Sequence, residues 1–199
     1  MKLKEIYLAS NNRHKKEEMA PIFNNLELVL PSEKSLDFKC EETGNSFFDN
    51  ALLKAQTLYK LCQKPVLADD SGLCIAALDG KPGNLSARFG SDLPKPPKND
   101  FERNSYLLSL LKPGLRYDAC FVCALVLLFD EYRFYAVQET VKGLIIDSPR
   151  GSNGFGYDPI FYLPELDKTM AELPLAIKNK YSHRSRAAQK IKFLLENTL

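Results

Sequence analysis

Long apolar runs, an excess of one charge and an even cysteine set are all missing from this 199-residue chain. The longest apolar stretch, Ala119 to Phe129, is well short of the roughly 20 residues that a membrane-spanning helix needs. The start Met1-Lys2-Leu3-Lys4-Glu5 has no apolar leader, so a cytoplasmic location without a membrane partner is expected. A net charge of +2 and a pI of about 8.2 fall below the strongly basic range of nucleic-acid-binding domains. No nucleic-acid partner is expected on that ground. Five cysteines, an odd number, argue against a disulfide framework. Cys120 and Cys123 have the spacing of half a zinc site, but no second pair follows. On a strand, residues three apart face opposite ways and cannot share a metal, so two small core residues are expected there. Internal repeats, low-complexity segments and linkers are also lacking, which predicts one domain over residues 1–199. Nor does any stretch match the phosphate-binding GxxxxGK[ST] loop.

What is present is 45% hydrophobic residues, enough for a sizeable core, in segments of two periodicities. Glu5 to Ala9 reads as a strand, followed by the polar loop Ser10-Asn11-Asn12-Arg13 and a helix with Met19, Ile22 and Phe23 on one face. Leu26 to Leu30 reads as a second strand. Phe47 to Cys62 is the clearest helix, with Phe48, Ala51, Leu52, Ala55, Leu58, Tyr59 and Cys62 at helical spacing and Thr43 to Ser46 supplying turn and cap chemistry. Pro65 to Ala68 predicts a brief strand that ends at Asp69-Asp70-Ser71-Gly72, and apolar character resumes over Cys74 to Leu78. Asp100 to Leu111 predicts a helix, and Ala119 to Phe129 with Tyr132 to Val141 a long hairpin of β-formers. Ser148 to Asp158 is a glycine-rich loop before a strand at Ile160 to Leu163. A last helix runs from about Ser182, its apolar face being Ala187, Ala188, Ile191, Leu194 and Leu195. Isolated and hairpin strands mixed with helices give an α/β class with a mixed central sheet flanked by helices.

Two acidic clusters could carry chemistry, Glu41-Glu42 and Asp69-Asp70. Mg²⁺ binds one or two carboxylates plus substrate phosphates and keeps several waters, so acids converging from distant segments would suit a nucleotide site. The plain alternative is turn acids at solvated ends. Neighbouring strand residues face opposite ways, so one of Asp69 and Asp70 is expected to point at a metal. The loop Ser10 to Lys15, between a strand and a helix, could hold a phosphate through its N–H groups and Lys15. Lys178, His183 and Arg184 flank Ser182, the expected cap of the last helix. Phe155, inside Gly151 to Asp158, could stack on a base where glycine permits close approach. A solvated basic face and a loop anchor are the respective plain alternatives.

A run of ordered motifs adds to these readings. They are Ala9-Ser10-Asn11 with Lys15; Glu41 to Phe47 with Asn50-Ala51 and Lys54-Ala55; Ala68 to Leu73; and Pro82-Gly83 with Ser86-Ala87-Arg88. Pro149-Arg150-Gly151, Gly154 to Phe161, Thr169 with Ala171-Glu172-Leu173, and Ser182-His183-Arg184 complete the series. Together they resemble the inosine triphosphate pyrophosphatase family (dITP/XTP pyrophosphatases) over nearly the whole chain. The resemblance implies a Mg²⁺-dependent homodimer that removes ITP, dITP and XTP from the nucleotide pool, on an α/β fold with a cleft between two lobes. It also implies that Glu41 and Asp70 bind metal, with Asp70 the general base. Substrate contacts would come from Ser10, Asn11, Asn12, Arg13, His14, Lys15, Ser71, Phe155, Gly156, Tyr157, Asp158, Lys178, His183 and Arg184. Gln138-Glu139 departs from the family, which usually shows a glutamate followed by glycine, and this puts local strand geometry in question.

Overall fold

The computed structural model describes residues 3–198. Met1 and Lys2, on which part of the leader reading rests, and the last residue of the expected domain lie outside the described residues. Among the described residues seven strands form one sheet in the order β2-β1-β3-β4-β5-β6-β7. They are β1 (Glu5–Leu8), β2 (Glu27–Val29), β3 (Val66–Ile75), β4 (Tyr117–Leu128), β5 (Phe134–Ile145), β6 (Phe161–Leu163) and β7 (Lys168–Thr169). The sheet is mixed: β1 runs parallel to β2 and β3, while β6 is antiparallel to β5 and β7. The helices are α1 (Arg13–Met19), α2 (Phe47–Cys62), α3 (Asp100–Ser109), α4 (Leu175–Tyr181) and α5 (His183–Thr198). Among the described residues no helix is long and apolar enough to cross a membrane.

The chain divides into two compact units, one made of Met1–Ser71, Cys123–Glu139 and Tyr181–Leu199, the other of Gly72–Val122 and Thr140–Lys180. In the first unit β1, β3 and the Cys123–Leu128 part of β4 are buried on both faces, and the period of two sorts their residues. Ile6, Leu8, Leu67, Cys123, Leu125 and Leu127 pack with Met19, Phe23 and the α5 residues Ala187, Ala188, Ile191 and Leu195. Tyr7, Ala9, Val66, Ala68, Ala124, Val126 and Leu128 point the other way, onto Ala51, Ala55 and Leu58 of α2. Cutting one of these, such as Leu67, back to alanine costs about 2–5 kcal/mol. In the second unit Leu73, Ile75, Leu107, Phe121, Ile145, Ile160 and Phe161 are buried, and the rings of Phe121 and Phe161 lie 4.3 Å apart.

α2 has the expected bounds: Ser46 Oγ accepts from Asp49 N at 3.1 Å and closes its first turn. α1 is shorter than its apolar spacing predicts. It stops at Met19, one residue before Ala20-Pro21, because proline lacks the N–H that would continue the ladder; Phe23 is still buried, from the turn beyond. α3 ends at Ser109, two residues early. The larger difference is β3, which does not end at Ala68 but runs through Asp69-Asp70-Ser71-Gly72 to Ile75. β1 pairs only with Val66 and Leu67, so it is β4, the neighbour on the other side, that holds those residues in the sheet against their local turn preference. β4 and β5 are sheet neighbours joined by residues 129–133, too short for a parallel crossover, so they form the expected hairpin. β5 is unbroken through Gln138-Glu139, where Glu139 pairs with Lys190 of α5. Cys120 and Cys123 meet different groups: the Cys120 thiol neighbours the free thiol of Cys74, and Cys123 Sγ donates to Asp69. α4 and β7 are additions that the sequence reading did not contain.

Candidate active site

The alternation of β3 sends its two aspartates to opposite faces of the first unit. Asp69 shares the side of Leu67, where α1 and α5 pack, and is fully buried. There Lys15 Nζ donates to its Oδ1 at 2.6 Å and Arg184 Nε to its Oδ2 at 2.7 Å. Arg184 also donates through Nη1 to Glu18 Oε2 at 2.5 Å and through Nη2 to Ser71 Oγ at 2.8 Å. Ser71 Oγ donates in turn to Asp69 Oδ1 at 2.9 Å. Burial opposes ionisation of Asp69, but Arg184 and Lys15 outweigh it and hold the carboxyl well below the usual range. Burial also pushes the Cys123 thiol well up, so it stays protonated and donates to Asp69 Oδ2 at 3.4 Å.

Asp70 lies on the side of Ala68, against α2. Lys54 Nζ donates to Asp70 Oδ1 at 2.6 Å and to Glu42 Oε1 at 2.9 Å, so one ammonium joins two carboxylates. Asn50 Nδ2 reaches Asp70 Oδ2 at 3.4 Å, and Gly44 N fixes that amide by donating to Asn50 Oδ1 at 2.8 Å. Burial is the largest influence on the Asp70 pKa and raises it; Lys54 opposes the rise, the negative charge of Glu42 adds to it, and the net shift is upward. A carboxylate raised in this way is a better proton acceptor than an ordinary aspartate. Lys54 keeps its charge, because Asp70 and Glu42 outweigh its own burial.

Of the adjacent glutamates, Glu42 shares the Lys54 ammonium with Asp70, while Glu41 is exposed and accepts at its carbonyl from Thr43 N at 3.1 Å. Glu42 belongs to an acidic cluster that the sequence marks, with Glu41 the expected ligand of the two; Asn50, Lys54 and Glu18 were not predicted as site residues. Asn50 and Lys54 did leave a trace in the sequence: they interrupt the apolar stripe of α2 with polar groups, and buried lysine is rare unless paired. In the loop before α1, Asn12 Oδ1 accepts from His14 N at 2.9 Å, and Ser10 Oγ accepts from Asn12 N at 3.1 Å. Asn11 Nδ2 donates to Phe38 O at 3.3 Å; Arg13 is exposed, as is His14, which pairs with Glu17 at 3.2 Å. His183 is buried at the start of α5, which Ser182 caps by accepting from Ser185 N at 3.1 Å.

The second unit gathers the remaining predicted residues around its glycine-rich loop. Asp158 Oδ2 accepts from Phe155 N at 2.9 Å and from Lys178 Nζ at 2.5 Å, and both charged groups are buried. The Lys178 ammonium lies 5.4 Å from the centre of the Phe155 ring, within cation–π range. Tyr157 is buried, and its hydroxyl donates to Ser86 O at 2.9 Å. A Cβ at Gly154 would sit 2.1 Å from Asp158 Oδ2, so glycine is required for the pair to form.

Among the described residues no three His, Cys, Asp or Glu side chains converge as metal ligands. The oxygen donors of Asp70, Glu42 and the neighbouring Glu41 nevertheless suit Mg²⁺, which takes one or two carboxylates and leaves other positions to water and phosphate.

Comparison with known proteins identifies the family. Residues 6–194 match the model of the Ham1 family. A dITP/XTP pyrophosphatase of Treponema denticola is 48% identical over 183 residues, covering 92% of this chain and 94% of the relative. One from Staphylococcus aureus is 41% identical over 194 residues, covering 98% and 97% respectively. Among solved structures, the Staphylococcus aureus Ham1 protein superposes with a TM-score of 0.84 at 41% identity, covering 98% of this chain and all (100%) of that one. A HAM1 protein from Coxiella burnetii gives a TM-score of 0.86 at 38% identity with the same coverage, 98% and 100%. The chain belongs to the Ham1 family.

Proposed function

We propose that this protein hydrolyses non-standard purine nucleoside triphosphates (ITP, dITP and XTP) to the monophosphate and pyrophosphate, and so keeps deaminated purines out of DNA and RNA. The observation that carries the reading is Asp70, a buried carboxylate of raised pKa held between Lys54 and Asn50 in a Ham1 chain. Asp70 takes a proton from the attacking water; the new bond forms at the α-phosphorus, and the α–β phosphoanhydride bond breaks. Lys54 orients the Asp70 carboxylate through its short bond to Oδ1. Lys15, with the loop Ser10 to His14 and Ser71, is assigned to the phosphates, where a charge-assisted contact is worth about 1.5–3 kcal/mol. Mg²⁺ held by Asp70 with Glu41 or Glu42 would neutralise charge on the phosphates.

For the base, Phe155 is assigned the stacking surface and Gly156, Tyr157 and Asp158 its support, with Lys178 bracing Asp158 and facing the ring. His183 and Arg184 are assigned to the 6-keto edge. A donor facing that edge disfavours adenine, whose amino group leaves the donor buried and unpaired at a cost of about 1–3 kcal/mol. The working form is proposed to be a cytoplasmic homodimer of single-domain chains that engages no nucleic acid. The test is pyrophosphate release with Mg²⁺ over a panel of ITP, dITP, XTP, ATP, GTP, TTP and UTP. Release confined largely to the first three is expected; preference for TTP or UTP, or binding without turnover, would sink the reading.

A further inference from the structure

Between Phe155 and Tyr157 the glycine-rich loop is held from outside, by the first turns of α3. Gly156 N donates to Asp100 Oδ2 at 2.6 Å, and Gly156 O accepts from Asn104 Nδ2 at 3.1 Å. Both main-chain polar groups of one residue are thus engaged by side chains four positions apart on a helix, the spacing that puts them on one face. Gly156 has φ +63°, and a Cβ there would meet nothing within 4 Å. Glycine is needed at this point for its backbone angle, and a backbone of that kind is mobile unless something fixes it.

The fixing elements are themselves braced. Arg103 Nη1 donates to the other oxygen of Asp100 at 2.5 Å, so the carboxylate is held from both sides. Asn104 is buried, 5% exposed. Asn99 Oδ1 accepts from Glu102 N at 2.9 Å and Glu102 Oε2 from Lys98 N at 2.8 Å, which fastens the start of the helix. On either side of Gly156 the loop has one further anchor, Phe155 N on Asp158 and the Tyr157 hydroxyl on Ser86. Phe155 therefore stands between two fixed points, and one of them is set by α3.

We propose that Asp100 and Asn104 are positioning residues for base recognition: by clamping both main-chain groups of Gly156 they fix the plane of the Phe155 ring. The inference rests on the assignment of Phe155 as the stacking surface. It adds residues from an element that no motif of the sequence marks. A stacking contact depends on ring orientation, so a loosened clamp costs affinity for the base and leaves the phosphate contacts as they were.

The experiment compares wild type with Asp100→Ala, Asn104→Ala and the double variant, measuring KM and kcat for ITP. The inhibition constant of inorganic tripolyphosphate, which carries phosphates and no base, is measured beside them. Loss of one or two such hydrogen bonds is expected to raise KM roughly tenfold. The change should fall on KM more than on kcat, with the tripolyphosphate constant staying at its wild-type value. Asp100→Asn keeps size and one acceptor and should give an intermediate KM; it also serves if an alanine variant does not fold. The chain has no tryptophan, so Phe155→Trp supplies a single indole whose emission reports IMP binding without turnover. In that background the clamp variants should weaken IMP binding in parallel with KM. An unchanged KM, or a tripolyphosphate constant that rises in step with it, overturns the clamp while leaving the hydrolase reading intact. If wild type releases no pyrophosphate from ITP, the hydrolase reading falls, and this inference with it.

Discussion

Asp69 is ionised in the interior because Lys15 and Arg184 meet it there, whereas Asp70 gives up part of its acidity to burial beside Glu42. Replacing Asp70 by asparagine should therefore lower turnover by roughly 10²–10⁴-fold while the fold persists, since the lost charge was a costly one. Asp69→Asn removes the carboxylate that Lys15 and Arg184 share, leaving Arg184 with Glu18 alone, and breaking a buried pair costs about 3–5 kcal/mol. Its Tm should fall by roughly 6–20 °C. The sign with pH follows from the depressed Asp69 pKa: its stabilisation is present above the ordinary aspartate range and lost as pH falls toward the folded value. The Tm gap between wild type and Asp69→Asn should thus be full near neutrality and shrink below about pH 4. Melting curves at both pH values, beside ITP turnover, check the pair. Equal damage to Tm from both substitutions would contradict the division of roles. Arg184 already gives three donors to Asp69, Glu18 and Ser71, so Arg184→Ala would mix packing loss with any effect on base choice. His183, which takes no part in those three bonds, is the cleaner position for testing base recognition.

The glycine-rich loop shows how two glycines of similar backbone serve different ends. Gly156→Ala adds strain of about 1–2 kcal/mol from its angle alone, because space surrounds the new methyl. Gly154→Ala, at φ +75°, also drives a methyl to 2.1 Å from Asp158 Oδ2 and 2.8 Å from Lys178 Nζ, parting the pair that holds Phe155. KM for ITP should rise more for Gly154→Ala than for Gly156→Ala, and the reverse order would remove the Asp158–Lys178 pair from the loop's support. At this scale the sequence was unevenly legible. α2 could be read to both ends because its cap and apolar spacing are local. β3 could not, since Asp69 to Gly72 carry turn chemistry and become strand through pairing with distant segments. α4, seven residues long, is too short to display a period. The motifs named Lys15, Asp70 and Phe155, but the bonds from Asp100 and Asn104 to Gly156 span 56 and 52 positions, and no local pattern announces them.

Over the whole chain, binding and folding are linked through mass action. IMP at about one hundred times its Kd adds about 2.7 kcal/mol to the stability of whatever must be folded to bind it. For a chain of this size that is a rise in Tm of roughly 5–11 °C if the two compact units melt together. Calorimetry with IMP and with AMP should show the larger shift for IMP; equal shifts would mean that base choice is not exercised in binding the monophosphate. Strand β3 has a further consequence, for how this chain can change over generations. Because alternate positions are assigned to opposite faces, the burial of Asp69 depends on an even count from Leu67 and the chemistry of Asp70 on an odd one, as a message depends on its reading frame. Substitutions can drift one at a time, but a single inserted residue between Ala68 and Asp69 exchanges the surroundings of both acids at once. Such an insertion should abolish folding and turnover together, while one in the exposed stretch from Pro94 to Lys98 should leave melting temperature and ITP hydrolysis close to wild type. Lineages descended from this chain are therefore expected to vary in length in their loops and to keep the spacing of β3 without gaps.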